Sequence, residues 1–370
     1  MNNYGMYKPS MNQFKCGNAN KKVEKSGSGS GSGHGTSPWV EKYRPRRIEQ
    51  LIQHNRIKQV FQTIKKTGDM PHLLLFGPAG TGKTSSAFAL TRELFGPTLS
   101  KHRVLELNAS DSRGIKVVRN KISNFAKLHV GNPDPNYPSP PFKIIILDEA
   151  DAMTQDAQAA LRKIMESSIN ITRFILICNY DNKIMGALKS RCARFRFKPI
   201  SRENCIRKLH NISLDENINI TDDGLSLISK ISSGDVRAAI NILQNLTYLD
   251  KHQINEKDVA TITSYVDSDI IDNIWKMAKT LDIKELHRET KTFVNKGYPI
   301  KHILPALCDK IEYDTDLNDI QRAKLYISIS HCERRVMEKS SEMIQLLSVF
   351  AYLNGLINNT IDKNYKFETF

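Results

Sequence analysis

Residues Gly77-Pro78-Ala79-Gly80-Thr81-Gly82-Lys83-Thr84 fit the pattern G-x-x-x-x-G-K-[ST], and their types define a chemistry. Glycines let a backbone wrap closely around an anion, which side chains would prevent. In such a loop main-chain N–H groups cradle phosphates, the Lys83 ammonium reaches the β and γ oxygens, and the Thr84 hydroxyl serves Mg²⁺. A second group lies downstream, where Lys143-Ile144-Ile145-Ile146-Leu147 runs into Asp148-Glu149-Ala150-Asp151. Asp148 would hold the Mg²⁺ through water, and Glu149 would orient and polarise the water that attacks the γ-phosphate. Side chains alternate along a strand, so the two neighbouring carboxylates are expected to point to opposite sides and do different work. Together the motifs predict an ATP-hydrolysing site.

Both groups need strands and helices to aim them. His72-Leu73-Leu74-Leu75-Phe76 is a short apolar run suited to a buried parallel strand. From Ser85 to Leu94 the chain is rich in Ala and Leu, as suits a helix whose N-terminus receives an anion. Further apolar runs at 104–107, 144–147 and 174–178 alternate with helical stretches, which predicts a parallel sheet covered on both faces, with ligand at the strands' carboxyl ends. After Pro199 the strand signal fades. Short amphipathic helices are expected at 221–231 and 235–246, and Ile270, Ile271, Ile274, Trp275 and Met277 recur at helical spacing. The predicted fold is an α/β core over 37–199, a small helical lid over 200–264 and an all-helical region over 265–360. Residues 1–36 end in a Gly/Ser repeat that cannot bury a core and reads as a flexible tail. Residues 132–141 hold five prolines in ten positions and read as a surface loop.

With 54 Lys and Arg against 39 Asp and Glu, the chain carries +15, which suits a polyanionic partner, most simply nucleic acid. The six cysteines are scattered without a C-x-x-C pair, arguing against a zinc site and for a reducing compartment. No apolar run approaches a membrane span, and the polar N-terminus lacks a signal-peptide core. Between 113 and 128, Ile115, Val118, Ile122 and Phe125 form an apolar stripe, with Lys116, Arg119, Ser123 and Lys127 on the other side. Such a face could track a phosphate backbone without reading bases, or simply be a solvated helix face.

Four segments taken together carry a family resemblance. Trp39-Val40-Glu41-Lys42-Tyr43-Arg44-Pro45, the loop at 77–84, Asp148-Glu149-Ala150-Asp151 and Ser190-Arg191-Cys192 resemble the AAA+ clamp-loader small subunits of replication factor C. Asn108-Ala109-Ser110-Asp111-Ser112-Arg113-Gly114-Ile115 resembles most the group called subunit 4 in animals. Departures are Ala79 where the family usually has Pro, Ser112 where Glu is commoner, and the Pro-rich insert.

The resemblance implies an ATPase subunit of a five-subunit loader that opens a ring-shaped sliding clamp and loads it onto primer–template DNA in the nucleus, during replication and repair. It makes the last helical region an oligomerisation collar. It assigns Val40, Arg44 and Ile52 to the adenine pocket, although Val40 and Ile52 could equally be core. Asn179 would contact the γ-phosphate or attacking water, although an Asn ending a strand is also a common turn former. Arg237 would be a lid arginine touching the γ-phosphate, and Arg191 an arginine finger acting in trans on a neighbour's ATP. By the same resemblance Arg113, Lys116, Arg119 and Lys127 line the DNA chamber, with Arg162 and Lys163 weaker candidates. The letters D-E-A-D also suggest a helicase, but that class needs two tandem nucleotide domains. A subunit that binds ATP and serves only as a scaffold is the remaining alternative.

Overall fold

The computed structural model describes residues 37–52, 54–109, 115–128, 130–249, 252–280 and 282–358, except for the side chains of 115–119 and 127. The expected tail lies outside these residues. A short helix α1 (Trp39–Lys42) and then α2 (Asn55–Thr67) precede β1 (His72–Phe76), α3 (Lys83–Arg103) and β2 (Val104–Asn108). There follow α4 (Ile115–Lys127), β3 (Lys143–Asp148), α5 (Gln155–Ser167), β4 (Thr172–Cys178), α6 (Gly186–Lys189) and β5 (Cys192–Arg196). All strand pairs are parallel, in the order β2-β3-β4-β1-β5.

Strand periodicity divides the sheet's side chains between two cores. Leu73, Leu75, Ile144, Ile146, Ile175 and Ile177 face α2 and α3, where Phe61, Ile64, Leu90 and Leu94 meet them. Leu74, Ile145, Leu147, Phe174 and Leu176 face α4 and α5 and pack with Ile122, Leu161 and Met165. Each such Leu or Ile, removed wholly from water, contributes about 1.5–3 kcal/mol of hydrophobic stabilisation. The strand β5 has no apolar run to announce it in the sequence. Its Cys-Ala-Arg-Phe-Arg sequence carries charge because it lies at the sheet's edge beside β1.

Two buried cations brace this core by donating to backbone carbonyls. Lys143 opens β3 at 2 % exposure and donates to the carbonyls of Phe125 and Leu128, which holds the end of α4. Arg103 ends α3 and donates to Pro140 O (3.0 Å), Asn132 O (2.9 Å) and the carbonyls of Gly131 and Ser139. The Pro-rich segment therefore wraps a guanidinium. Near its C-terminal end α3 kinks at Gly96-Pro97, where Gly96 has φ 70° and lies against Tyr137 of the same segment.

Beyond the sheet, α7 (Arg202–Asp215), α8 (Asp222–Ser232), α9 (Val236–Leu246) and α10 (Glu256–Thr263) surround a third core of Cys205, Leu209, Leu225, Ile228, Leu243 and Val259. Trp39, Val40, Tyr43 and Ile52 also pack on this core, although the sequence groups them with the α/β region. A fourth core, from Val266 to Leu356, is built by α11 (Ser268–Thr280), α12 (Ile283–Asn295), α13 (Ile300–Tyr313), α14 (Asp319–Met337) and α15 (Glu342–Ile357). No helix among the described residues is long and apolar enough to cross a membrane.

Candidate active site

The loop from Gly77 to Gly82 joins β1 to α3 and can be so tight because nothing projects from its glycines. A Cβ on Gly77 would lie 2.2 Å from Phe197 O, and Phe197 N–H donates to Phe76 O at 2.7 Å. The exit of β5 is thus pressed against the start of the loop. Lys83, the first residue of α3, is 7 % exposed and turns its ammonium back into the loop. It donates to Gly77 O (2.7 Å), Pro78 O (2.7 Å) and Asn179 Oδ1 (2.9 Å). Burial pushes its pKa down, opposed by the nearby Asp148, Cys178 and Asp151. Thr81 Oγ1 donates to Pro78 O at 2.9 Å and stiffens the crest.

Asp148 ends β3, and its carboxylate is held at both oxygens. Oδ2 accepts the Thr84 hydroxyl at 2.8 Å, and Oδ1 accepts Glu149 N–H at 2.9 Å. The expected reason for the two carboxylates' different directions needs correction. Glu149 is not on the strand but has left-handed backbone angles, φ 54° and ψ 39°, in the turn after it. A chain reversal, rather than strand alternation, separates the side chains. Positive φ is uncommon for a residue with a Cβ, and such outliers concentrate at functional positions.

Asn179 follows β4, and its position is set by Asp151. That carboxylate accepts the N–H groups of Asn179 (3.3 Å) and Tyr180 (3.2 Å). The last letter of the D-E-A-D string therefore positions the segment that faces Lys83. Gln158, 2 % exposed on α5, ties the same region further along. It donates to Met153 O and Lys183 O and accepts Met185 N–H. Nothing in its sequence neighbourhood signals that role.

One cleft is lined by Val40, Arg44, Ile52, Ala79, Gly80, Thr81, Gly82, Lys83, Thr84, Ser85, Asp148, Glu149, Asn179 and Arg237. Gly77 and Pro78 lie behind it and offer their carbonyls to Lys83. Its wall also takes Leu51, His54, Ile200, Val236 and Ile240, which sequence reasoning missed. Ile240 could have been found from its place one turn after Arg237 on an amphipathic helix. His54 has φ 57°, its ring lies tilted against Phe197 with centroids 4.7 Å apart, and burial pushes its pKa down. Arg44 pairs with Glu41 at 3.1 Å and lies over the Phe88 ring.

The segment carrying Val40 is strapped to the helical core beside the cleft. Trp39 N–H donates to Gln244 Oε1 at 3.1 Å, while Tyr43 Oη and Lys42 Nζ both reach Glu216 Oε1 at 2.7 Å. Burial, with the Glu216 bond, pushes the Tyr43 hydroxyl's pKa up.

Arg191 is not in this cleft. It follows α6, donates to Ala187 O at 2.6 Å and pairs with Glu166 at 2.5 Å, a carboxylate that also takes Arg162 at 3.0 Å. Three residues on, Arg194 of β5 pairs with Asp181 at 2.8 Å. Arg113 lies outside the described residues, as do the side chains of Lys116, Arg119 and Lys127.

The family described as "ATPase family associated with various cellular activities (AAA)" matches residues 73–200, and the "Replication factor C C-terminal domain" matches 266–352. Replication factor C subunit 4 of Arabidopsis thaliana is 43 % identical over 85 % of this chain and 94 % of its own length. Replication factor C subunit 2 of Saccharomyces cerevisiae is 42 % identical over 86 % and 93 %. The Methanococcus vannielii replication factor C small subunit is 37 % identical over 86 % and 99 %. The chain belongs to the replication factor C family, and its phosphate-loop core makes it an AAA ATPase.

Proposed function

We propose that this chain is an ATP-hydrolysing subunit of a replication factor C clamp loader, joined to other subunits of that complex. ATP binding and hydrolysis would drive opening of a sliding clamp and its loading onto primer–template DNA in the nucleus. The domains in this reading are the core over 37–199, the lid over 200–264 and the collar over 265–360. The observation that carries the enzymatic part is the convergence of Lys83, Thr84, Asp148, Glu149, Asn179 and Arg237 on one cleft, from four separate stretches of chain.

Adenine would lie against Val40, Ile52 and the apolar wall they share with Ile240, while the loop's N–H groups receive the phosphates. Lys83 would exchange its loop carbonyls for β and γ oxygens, keeping Asn179 as a neighbour. The Thr84 hydroxyl and Asp148 carboxylate, 2.8 Å apart, form a hard-oxygen pair that fits Mg²⁺ and would hold it. When bound, that ion neutralises charge between the β- and γ-phosphates. Glu149 would orient the attacking water, Asn179 and Arg237 would hold the terminal phosphate, and Arg191 would serve a neighbouring subunit's ATP. Arg113, Lys116, Arg119 and Lys127 are the proposed contacts to DNA phosphates.

Substitution of Glu149 by Gln should leave ATP bound but hydrolysed very slowly, whereas Lys83→Ala should lose tight binding. Equilibrium binding and single-turnover hydrolysis in the assembled complex test both. Loss of binding in Glu149→Gln with normal binding in Lys83→Ala would reverse the assignment.

A further inference from the structure

The turn between α8 and α9 is clamped from two sides. Gly234, with φ 87°, fits against the chain where it leaves the sheet. A Cβ there would lie 2.7 Å from Pro199 Cβ, and Ile200 N–H donates to Gly234 O at 3.2 Å. On the other side the turn meets the phosphate loop. Val236 N–H donates to Gly80 O at 3.3 Å, and a Cβ on Gly80 would sit only 1.7 Å from Asp235 Oδ1. The same Asp235 oxygen accepts Ala238 N–H at 3.0 Å, capping α9.

We propose that Asp235 is a positioning residue that seats the first turn of α9 on Gly80 and thereby carries Arg237 to the terminal phosphate of the nucleotide. The inference rests on the reading of Arg237 given above. Arg237 is exposed and has no ion-pair partner among the described residues, so where its guanidinium points depends on where its turn sits. That turn is fixed by the Val236–Gly80 hydrogen bond and by the carboxylate filling the space above Gly80. Gly80 is then glycine for two reasons. It adopts φ 66°, which favours a residue without Cβ, and it must admit a carboxylate from another part of the chain. A carboxylate suits both tasks, because one oxygen satisfies a first-turn N–H while the side chain still spans to the loop.

The test uses the full chain in its complex, with the other subunits' nucleotide sites inactivated. ATPγS and ADP are the probes, and the quantity read is the ratio of their affinities. Asp235→Ser still caps a helix well but withdraws the carboxylate from Gly80. Loss of a hydrogen bond such as Val236–Gly80 should lower the ratio about 5-fold, without a matching fall in melting temperature. Asp235→Asn keeps an oxygen at the same reach and should retain the ratio. Arg237→Ala should lower the ratio at least as far as Asp235→Ser. A normal ratio in Asp235→Ser beside a lowered one in Arg237→Ala would overturn the latch alone, leaving Asp235 a simple cap. A normal ratio in Arg237→Ala would overturn the sensor reading and the latch with it.

Discussion

Replacing Asp151 tests whether the cleft depends on a carboxylate that touches no substrate. Its side chain accepts two backbone N–H groups, from Asn179 at 3.3 Å and Tyr180 at 3.2 Å. Hydrogen bonds to an ionised acceptor are worth about 1.5–3 kcal/mol each in favourable surroundings. Both are long here and both residues are exposed, so about 1.5–2 kcal/mol for the pair is reasonable. That corresponds to about a 10–30-fold fall in the population with Asn179 in place. Asp151→Ala should therefore lower the single-turnover hydrolysis rate in the assembled complex about 10–30-fold, while ADP affinity changes little. Asp151→Asn removes the charge but keeps an accepting oxygen, and should recover most of the rate. A wild-type rate in Asp151→Ala would refute the reasoning. Equal losses in both variants would do so too, since they would point to charge near Lys83 rather than to the hydrogen bonds.

Arg191→Ala should leave this chain's own ATP affinity nearly intact and slow hydrolysis at the adjacent subunit. Mixing the variant with partners inactivated one site at a time locates the defect, and a defect at this chain's own site would exclude action in trans. A pH dependence of folding follows from His72, 7 % exposed, whose Nδ1 accepts Phe174 N–H at 3.1 Å. Burial and the nearby Arg173 lower its pKa from 6.5 to about 4, so the unfolded chain binds the proton first as pH falls. Stability should be undiminished above pH 6.5 and decline towards pH 4 by about 3 kcal/mol in total, a decline that denaturant titrations should find shallower in His72→Gln.

The sequence made legible what rests on strong periodicity or on a fixed motif. The apolar runs at 144–147 and 174–178 are buried strands, and the phosphate loop stands between a strand and a helix as its pattern requires. Strand β5 escaped notice because an edge strand can keep its arginines in solvent, leaving no apolar run to read. The turn at Glu149 escaped for another reason. A left-handed residue after a strand is imposed by tertiary packing, and nothing in Leu-Asp-Glu-Ala announces it. Asp151 and Gln158 are ordinary polar letters until their distant backbone partners are known. His54, Ile200 and Val236 reach the cleft from loops and helix ends where hydrophobic patterning is weakest.

The strap formed by Trp39, Val40 and Tyr43 bears on the order in which the protein can mature. Its main-chain bond to Gln244 spans 205 residues, and its apolar partners are the helices from 202 onward. During synthesis the sheet can assemble as soon as β5 has emerged, since all its strands lie before residue 197. The strap is made first but must wait for α9 before it has anything to pack on. Until then Val40 has no wall to complete, so a nascent chain could own a finished phosphate loop and still lack a pocket for the base. Competence to hold a nucleotide would thus arrive late, after the helical layer has folded, and would report that most of the chain is already in place.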